Sequence, residues 1–370
     1  MGFPKYISAL ATFLLLVTPG CGSDRQGQVA AITEVFSAEQ VSEAREAVES
    51  PYGPLGFREV LCTTELSGPM AVNKDWVFYF ATRPVPGGLI RYPLMGGTEE
   101  HVAPWGCINN DTADKTIPQA RANGTHVFWA DGGVCRAPVV GGDTEVLLGG
   151  NVSEVLDIEL SGDAIYLSDY GAIRRMRLDG TDNVALTQDV GAGHFALDET
   201  HVWFTKTHAP FGIARIPLDG GDVEDVVAPL PLPPLDVVVD DKWIFWTEHE
   251  CPGSVCSIFV ASRTEGTARV LTTSFREPLN LLAEDGYLYW IGIGFDDSAG
   301  PAAMTQVHRT AAVDGVTVTL GYAGNGYGLW AALVGDEILY LDPDQPGADG
   351  AGPLDRHCIL AVPRFPEDWQ

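Results

Sequence analysis

Seven positions of the sequence, each directly before the first strand of a repeated hairpin, could carry chemistry. They are Pro69, Gln119, Asp157, His194, Asp236, Asn280 and Trp330. Five consecutive members of this set offer two carboxylates, an imidazole and two amides, and the carboxylates and amides supply the oxygen ligands that calcium takes. The predicted metal ligands are Gln119, Asp157, His194, Asp236 and Asn280, with calcium as the candidate cofactor. Beside a bound cation an acid or a histidine could activate water, so the predicted catalytic residues are Asp157, His194 and Asp236.

A simpler interpretation of the same residues stays open. Asp and Asn are favourable residues at turns that enter strands, whatever the protein does. The mouths of channels are hydrated in proteins with and without a site there. Other catalytic chemistry finds no support in the sequence, which lacks a G-x-S-x-G nucleophile elbow, an H-E-x-x-H metal motif and a phosphate-binding glycine loop.

The element that must position these residues is a hairpin of eleven residues, seen most clearly in FALDETHVWFT (Phe195–Thr205). An apolar run meets a polar turn, and an aromatic run follows. The other copies, which align without a gap, are Met70–Phe80, Ala120–Ala130, Ile158–Ser168, Val237–Thr247, Leu281–Ile291 and Ala331–Leu341. Seven copies spaced 37 to 50 residues apart predict a circular or stacked repeat.

Two further short strands follow six of the hairpins and meet in a glycine-containing turn, the signal for another hairpin. Four strands per unit, repeated around a ring, predict an all-β fold: a β-propeller with seven four-stranded blades. The seventh unit has a third strand at His357–Pro363 and no fourth. We expect the segment Phe57–Thr63 to supply that outer strand and close the ring, which removes open sheet edges.

The N-terminus predicts a targeting segment. A lysine precedes the apolar run Ile7–Val17, which is too short to span a bilayer, and Gly20-Cys21 follows. This pattern is similar to the bacterial lipoprotein signal, which implies lipidation of Cys21 and a cell-envelope location at the outer membrane or cell surface. Secretion, or a periplasmic location without the lipid, is the alternative. The predicted organisation is a signal at residues 1–21, a tether with a short helix at 22–56, and the propeller at 57–370.

Cysteine counting agrees with lipidation, because six of the seven cysteines remain if Cys21 carries the lipid, enough for three bridges. Antiparallel pairing of the segment Phe57–Thr63 with His357–Pro363 would bring Cys62 and Cys358 together, and a disulfide between them would hold the ring closed. The other predicted disulfide cysteines are Cys107 with Cys135 on one rim, and Cys251 with Cys256 in one loop. Six cysteines allow fifteen connectivities, so this pairing rests on the strand ends alone.

The segment Ile165–Thr187 resembles a repeat of the YWTD type, as found in lipoprotein-receptor propellers and in related TolB-like and NHL-like propellers. Ile244–Glu248 and Val127–Asp131 match the same motif loosely. The resemblance covers about Phe57–Pro363 and implies a β-propeller, although YWTD propellers have six blades and seven units are counted here. It further implies a binding scaffold, or, in a minority of related propellers, a metal-dependent lactonase or lyase with its site in the central channel.

The charge of the chain limits the partners. Asp and Glu total 50 against 22 Lys and Arg, giving a formal charge of −28. This argues against nucleic acid and against electrostatic docking on an anionic membrane. We therefore predict an interaction module for a protein, peptide or glycan, with membrane contact only through a lipid anchor; the alternative is the metal-dependent hydrolase or lyase. The predicted contact surface is the set of rim loops carrying Asp131, Asp169, His208, Glu248, His249, Asp296 and Asp297.

Overall fold

The structure is a computed structural model. It describes residues 58–63, 66–81, 87–104, 119–130, 133–149, 155–169, 171–188, 191–248, 255–275, 278–295, 303–323, 330–342 and 357–365. The predicted signal, the tether and the lipidation residue Cys21 lie outside this part of the chain. No helix long enough and apolar enough to cross a membrane is found in the described ranges.

The described residues form twenty-eight strands. Their bounds are β1 Arg58–Thr63, β2 Leu66–Val72, β3 Trp76–Ala81, β4 Gly88–Pro93, β5 Glu100–Pro104, β6 Ala120–Ala122, β7 His126–Ala130, β8 Val134–Pro138, β9 Glu145–Leu148, β10 Val155–Ser161, β11 Ala164–Asp169, β12 Ala172–Arg177, β13 Val184–Ala185, β14 Ala192–Leu197, β15 His201–Lys206, β16 Gly212–Pro217, β17 Glu224–Val227, β18 Pro234–Val239, β19 Trp243–Glu248, β20 Val255–Ser262, β21 Ala268–Phe275, β22 Leu279–Glu284, β23 Tyr287–Phe295, β24 Ala303–Ala311, β25 Thr317–Ala323, β26 Ala331–Val334, β27 Glu337–Asp342 and β28 His357–Pro363.

These strands form seven antiparallel four-stranded sheets arranged in a ring, which confirms the predicted seven-bladed β-propeller. Blades 1 to 6 take four consecutive strands each, from β2–β5 through β22–β25. Blade 7 has the order β26-β27-β28-β1, so its outer strand comes from the other end of the propeller sequence. The outer strand of blade 3 is shorter than the predicted segment 181–187, because Thr181 is used in the preceding turn, where its carbonyl accepts the Arg177 N–H.

Closure of the ring also follows the prediction. β1 pairs antiparallel with β28, and Cys62 and Cys358 are register partners joined by a disulfide. Arg58 adds a second link, since its guanidinium pairs with Glu337 at 2.6 Å and donates to the carbonyl of Leu94 in blade 1 at 3.0 Å. Cys135 and Cys256 are disulfide-bonded as well, while their predicted partners Cys107 and Cys251 lie outside the described residues.

The first hairpin turns of four blades share one structure, in which a side-chain oxygen accepts hydrogen bonds from backbone N–H groups of the turn. The Asn123 side-chain oxygen accepts the N–H groups of Thr125 and His126, both at 2.8 Å. Asn73, Asp198 and Asp240 hold the same position in blades 1, 4 and 5 and accept from the equivalent N–H groups. This is the Asx turn, which explains why Asn and Asp recur at that point of the repeat.

The aromatic strand of each hairpin builds the core between blades. Trp129, Trp203 and Trp246 are at most 1% exposed. The ring of Trp129 in blade 2 meets that of Phe80 in blade 1 edge to face, with centroids 5.6 Å apart. These aromatic residues are therefore packing residues, as strand periodicity predicts, and the first strands are left to line the channel.

Candidate functional site

Gln119 and Trp330 directly precede their first strands as predicted, whereas Asp157, His194 and Asp236 lie inside theirs, which corrects the expected placement of these three. Asp157, His194 and Asp236 are each the third residue of β10, β14 and β18. Pairing with the second strand shifts register at all three places. A shift of this kind is a β-bulge, which bends the strand and re-aims a side chain. The bulges place the three side chains near one another at one end of the channel.

Asp157 is the centre of this group. The residue is 5% exposed, and its Oδ1 accepts the backbone N–H of Ile158 at 2.8 Å. Its Oδ2 lies 3.7 Å from Nδ1 of His194, and its Oδ1 lies 4.0 Å from the guanidinium of Arg121. One carboxylate thus connects the first strands of blades 2, 3 and 4.

Asp236 continues the group into blade 5. Its Oδ1 accepts the backbone N–H of Val237 at 2.8 Å, and the N–H of Leu281 in blade 6 also bonds to this carboxyl group. Burial raises the pKa of Asp236, and the negative charge of Asp157 raises it further. The nearby His194 and the two N–H groups act in the opposite direction but do not cancel the increase.

Two residues of the site, Arg121 and Glu159, were missed by the sequence analysis. The Arg121 guanidinium lies 2.5 Å from Glu159 Oε1 and donates to the side-chain oxygen of Gln119 at 2.8 Å. Burial disfavours its charge, but Glu159, Asp157 and Asp236 outweigh burial and raise the pKa of Arg121. The signal was available, because Arg121 and Glu159 stand two residues after Gln119 and Asp157, on the same strand face.

The wall of the channel is polar on one side and apolar on the other. Blades 2 to 5 contribute the charged and amide groups described above. The equivalent positions of blade 7 are Trp330, which is 7% exposed, and Ala332. Asn280 in blade 6 has a φ of 50°, a left-handed conformation that Asn tolerates better than most residues. The channel therefore presents its charges to a ligand from one side.

The site residues contact one another in pairs, and their ligand atoms do not surround a single point. Among the described His, Cys, Asp and Glu residues, the group whose ligand atoms all lie within 4.8 Å of one another is Glu59, Cys62 and Cys358. Both sulfurs of that group are in the ring-closing disulfide, so they offer no thiolate. Asp157, His194 and Asp236 are spaced more widely, and calcium binding by the channel set stays a prediction.

Three of the predicted rim-loop contact residues are described: Asp169, His208 and Glu248. Asp169 is buried, and its carboxylate accepts the N–H groups of Gly171 and Ala172 and pairs with Arg174 at 2.9 Å, so it holds its own turn. His208 is exposed, and burial raises the pKa of Glu248. The remaining predicted contact residues, which are Asp131, His249, Asp296 and Asp297, lie outside the described residues.

We expect Asp236→Asn to raise the free energy of unfolding at pH 7 by about 0.5–2 kcal/mol, the size of a typical stabilising substitution. Burial disfavours the charge of the Asp236 carboxylate in the native state and raises its pKa, and Asn keeps the oxygen that accepts the Val237 N–H. Urea unfolding at pH 7 measures the gain. Because the native pKa lies above the unfolded one, the gain should shrink as the pH is lowered toward 4.

The matched control for this variant is Asp163→Asn, which removes one exposed acid from the opposite rim. This control should leave the free energy of unfolding within about 0.5 kcal/mol of the original. A lower stability of Asp236→Asn than of the control at pH 7 would contradict the expectation.

No protein-family model matches the chain, and no curated protein matches it. Among solved structures, it is similar to a chain of YCF48 bound to D1 peptide, with a TM-score of 0.54 and 11% identity over 84% of this chain and 97% of that chain. It is also similar to an oligogalacturonate lyase in complex with manganese, with a TM-score of 0.53 and 10% identity over 83% of this chain and 91% of that one.

A chain of the nidogen/laminin complex matches with a TM-score of 0.47 and 17% identity, over 60% of this chain and 86% of that chain. All of these identities are far below the level at which function transfers between proteins. The two matches with TM-scores above 0.5 therefore show the β-propeller fold alone, in agreement with the seven sheets of the structure.

Proposed function

We propose that the protein is a binding module of the bacterial cell envelope, anchored through a lipid on Cys21. Its channel mouth would bind a basic segment of a protein or peptide. The observation that carries this proposal is the fixed array of Asp157, His194 and Asp236, in which each acid is oriented by a neighbouring backbone N–H. Groups held in place before binding lose little conformational entropy when a ligand arrives.

The carboxylates of the array suit a cationic donor, because a carboxylate can accept about four hydrogen bonds and the backbone N–H groups fill only some of these places. Each acid uses its Oδ1 for the adjacent N–H, and the other oxygen of Asp157 lies 3.7 Å from the imidazole of His194. A lysine or arginine side chain entering the channel would bring the positive charge that lowers the cost of ionising Asp236. The formal charge of −28 would also steer a basic ligand toward the surface. Support from fold alone comes from the YCF48 structure, where a propeller is bound to a peptide.

The test is the binding of a fluorescent tetralysine peptide, measured by anisotropy. We expect Asp157→Asn with Asp236→Asn to weaken binding at least about tenfold, because hydrogen bonds to charged groups contribute about 1.5–3 kcal/mol each. The matched control carries Asp163→Asn with Asp241→Asn, two exposed acids in turns of the opposite rim. It removes the same charge, so an equal loss in both proteins would mean attraction by net charge alone and would overturn the proposal.

A metal-dependent hydrolase or lyase is the second candidate function. It is favoured by the contact between His194 and Asp157 beside a carboxyl group of raised pKa, the kind of pair that general acid–base chemistry uses. The same two proteins distinguish the candidates after dialysis against Ca²⁺ or Mn²⁺. A stoichiometric ion that is present in the control and lost in the channel variant would favour the enzyme.

A further inference from the structure

We propose that the rim opposite the channel site docks on a lipid surface through three exposed apolar turn tips, Met95, Val140 and Val313. The proposal rests on the lipid anchoring proposed above and adds a second contact with the membrane. The three side chains are 92%, 78% and 77% exposed. We call them the apolar tips.

The tips occupy an equivalent position in the repeat. In six blades, the turn after the third strand contains a residue whose N–H donates to a carbonyl of the first hairpin turn, as Leu94 does to Asp75 and Val139 does to Thr125. The next residue is the tip of the turn. Around the ring from blade 1 to blade 6 the tips are Met95, Val140, Asp179, Asp219, Thr264 and Val313.

The apolar and polar tips are separated around the ring. The apolar tips belong to blades 6 and 1, which flank blade 7, and to blade 2, which adjoins blade 1. Blades 3, 4 and 5 carry Asp179, Asp219 and Thr264. Single exposed apolar residues are ordinary on protein surfaces, but their collection on one side of a rim is not required by the fold. Val316, which is 58% exposed, extends the apolar side in blade 6. The acid between it and Val313 is Asp314, whose Oδ1 accepts the Val316 N–H.

Other exposed valines do not share this arrangement. Val146, Val184, Val223 and Val270 are 41% to 52% exposed and lie on or beside the outer strands of blades 2 to 5, around the circumference. They are less exposed than the apolar tips and are distributed over several blades. The segregation therefore concerns the turn tips of this rim and not exposed apolar residues in general.

The propeller is joined to its N-terminal segment at the same side of the same rim. β1 begins at Arg58, whose Nη1 donates to the carbonyl of Leu94, the residue before Met95. Its other partner, Glu337, follows the first turn of blade 7. A lipid on Cys21 would be joined to the propeller through residues 22–57, so the chain coming from the anchor would enter the propeller on the side with the apolar tips.

The contact with lipid would have to be apolar rather than electrostatic. The formal charge of −28 means that an anionic headgroup layer repels the protein as a whole. Apolar side chains gain from insertion between headgroups without needing a positive charge.

The experiment uses the full chain with its lipid in vesicles of phosphatidylethanolamine and phosphatidylglycerol. An environment-sensitive nitrobenzoxadiazole label is attached at V140C, or at D219C as the matched position on the polar side. We expect emission from V140C to move to shorter wavelength, with several-fold weaker quenching by iodide, while D219C stays as in solution. The M95S/V313S substitutions added to V140C should remove most of that shift, because two of the three insertions are lost.

Flotation of the vesicles separates this proposal from the anchoring on which it rests. If the protein floats and both labels stay aqueous, docking by the tips is overturned while anchoring stands. If the chain does not float, the proposed anchoring is overturned. The emission of the label on the unlipidated chain then tests docking by itself, and an unshifted emission from V140C overturns docking as well. A shift that needs envelope proteins in the vesicles would overturn the lipid surface in favour of a protein partner.

Discussion

Removal of the ring-closing disulfide with Cys62→Ala and Cys358→Ala is expected to lower the free energy of unfolding by about 3–5 kcal/mol. The bond joins residues 296 positions apart, and the stabilisation that a crosslink gives by restricting the unfolded chain grows with loop length. It also fixes β1, the strand that completes blade 7, to β28. Urea unfolding followed by far-ultraviolet circular dichroism measures the change under non-reducing conditions.

The control for this prediction is Glu59→Gln. Glu59 lies within 4.8 Å of the two sulfurs but is exposed and takes no part in the bond. Its substitution should change the free energy of unfolding by no more than about 0.5 kcal/mol. If the double cysteine variant unfolded at the original urea midpoint, the disulfide would not be what holds the ring closed.

Replacement of Asp198 by alanine is expected to cost about 3 kcal/mol. Its carboxylate accepts the N–H of Thr200 and the indole N–H of Trp203, both at 2.6 Å, and pairs with Arg263 of blade 5. Trp203 is fully buried, so the variant leaves its N–H without an acceptor, which costs about 1–3 kcal/mol. The guanidinium of Arg263, 4.8 Å from the Trp203 ring, also loses its charged partner.

The matched control is Asn123→Ala in blade 2. Asn123 holds the same place in its hairpin and accepts the same two backbone N–H groups, but its side-chain oxygen is not bonded to a tryptophan or an arginine in the described contacts. Loss of the Asx turn alone should cost about 1 kcal/mol. An Asp198→Ala cost no larger than that of Asn123→Ala in thermal or urea unfolding would show that the link between blades 4 and 5 adds nothing.

The contribution of Asp198 to stability is also expected to depend on pH. Burial alone would raise the pKa of this carboxyl group, but the hydrogen bonds from Trp203, Thr200 and His201 outweigh it and lower the pKa to about 2. Because the native pKa is depressed, the ionised acid stabilises the fold above the unfolded pKa, near 4. This contribution, about 2 kcal/mol, is lost as the pH falls toward 2. The stability difference between the original protein and Asp198→Ala should therefore narrow over that range.

The sequence predicted the fold closely because its information is local and repeated. Each copy of the hairpin shows period-two packing and a polar turn, as in FALDETHVWFT, and seven copies fix the number of blades. The incomplete seventh unit and the spare segment at Phe57–Thr63 could be matched for the same reason. The pairing of Cys62 with Cys358 followed, since antiparallel neighbours bring those strand ends together.

The candidate site was predicted only in part. Alignment of the hairpins grouped Asp157, His194 and Asp236, and the structure places Asp157 3.7 Å from His194, with Asp236 near enough to interact with both; the alignment had placed all three before the strands. Register shifts caused by bulges are not visible in the residue pattern, because the bulged residue can be of almost any type. The sequence analysis also missed the role of Asp169, whose carboxylate holds a local turn instead of facing a ligand.

The sequence by itself determined the all-β repeat, the closure of the ring and the set of polar residues along the first strands, because each follows from spacing along the chain. Only the tertiary structure decided which charges meet: Arg121 with Glu159 and Asp157, and Arg263 with Asp198. It also decided that the apolar tips share one side of the rim with Arg58. Contacts between blades depend on how far each sheet is rotated around the ring. The packing of aromatic side chains between the sheets sets that rotation, and no single segment of the sequence does.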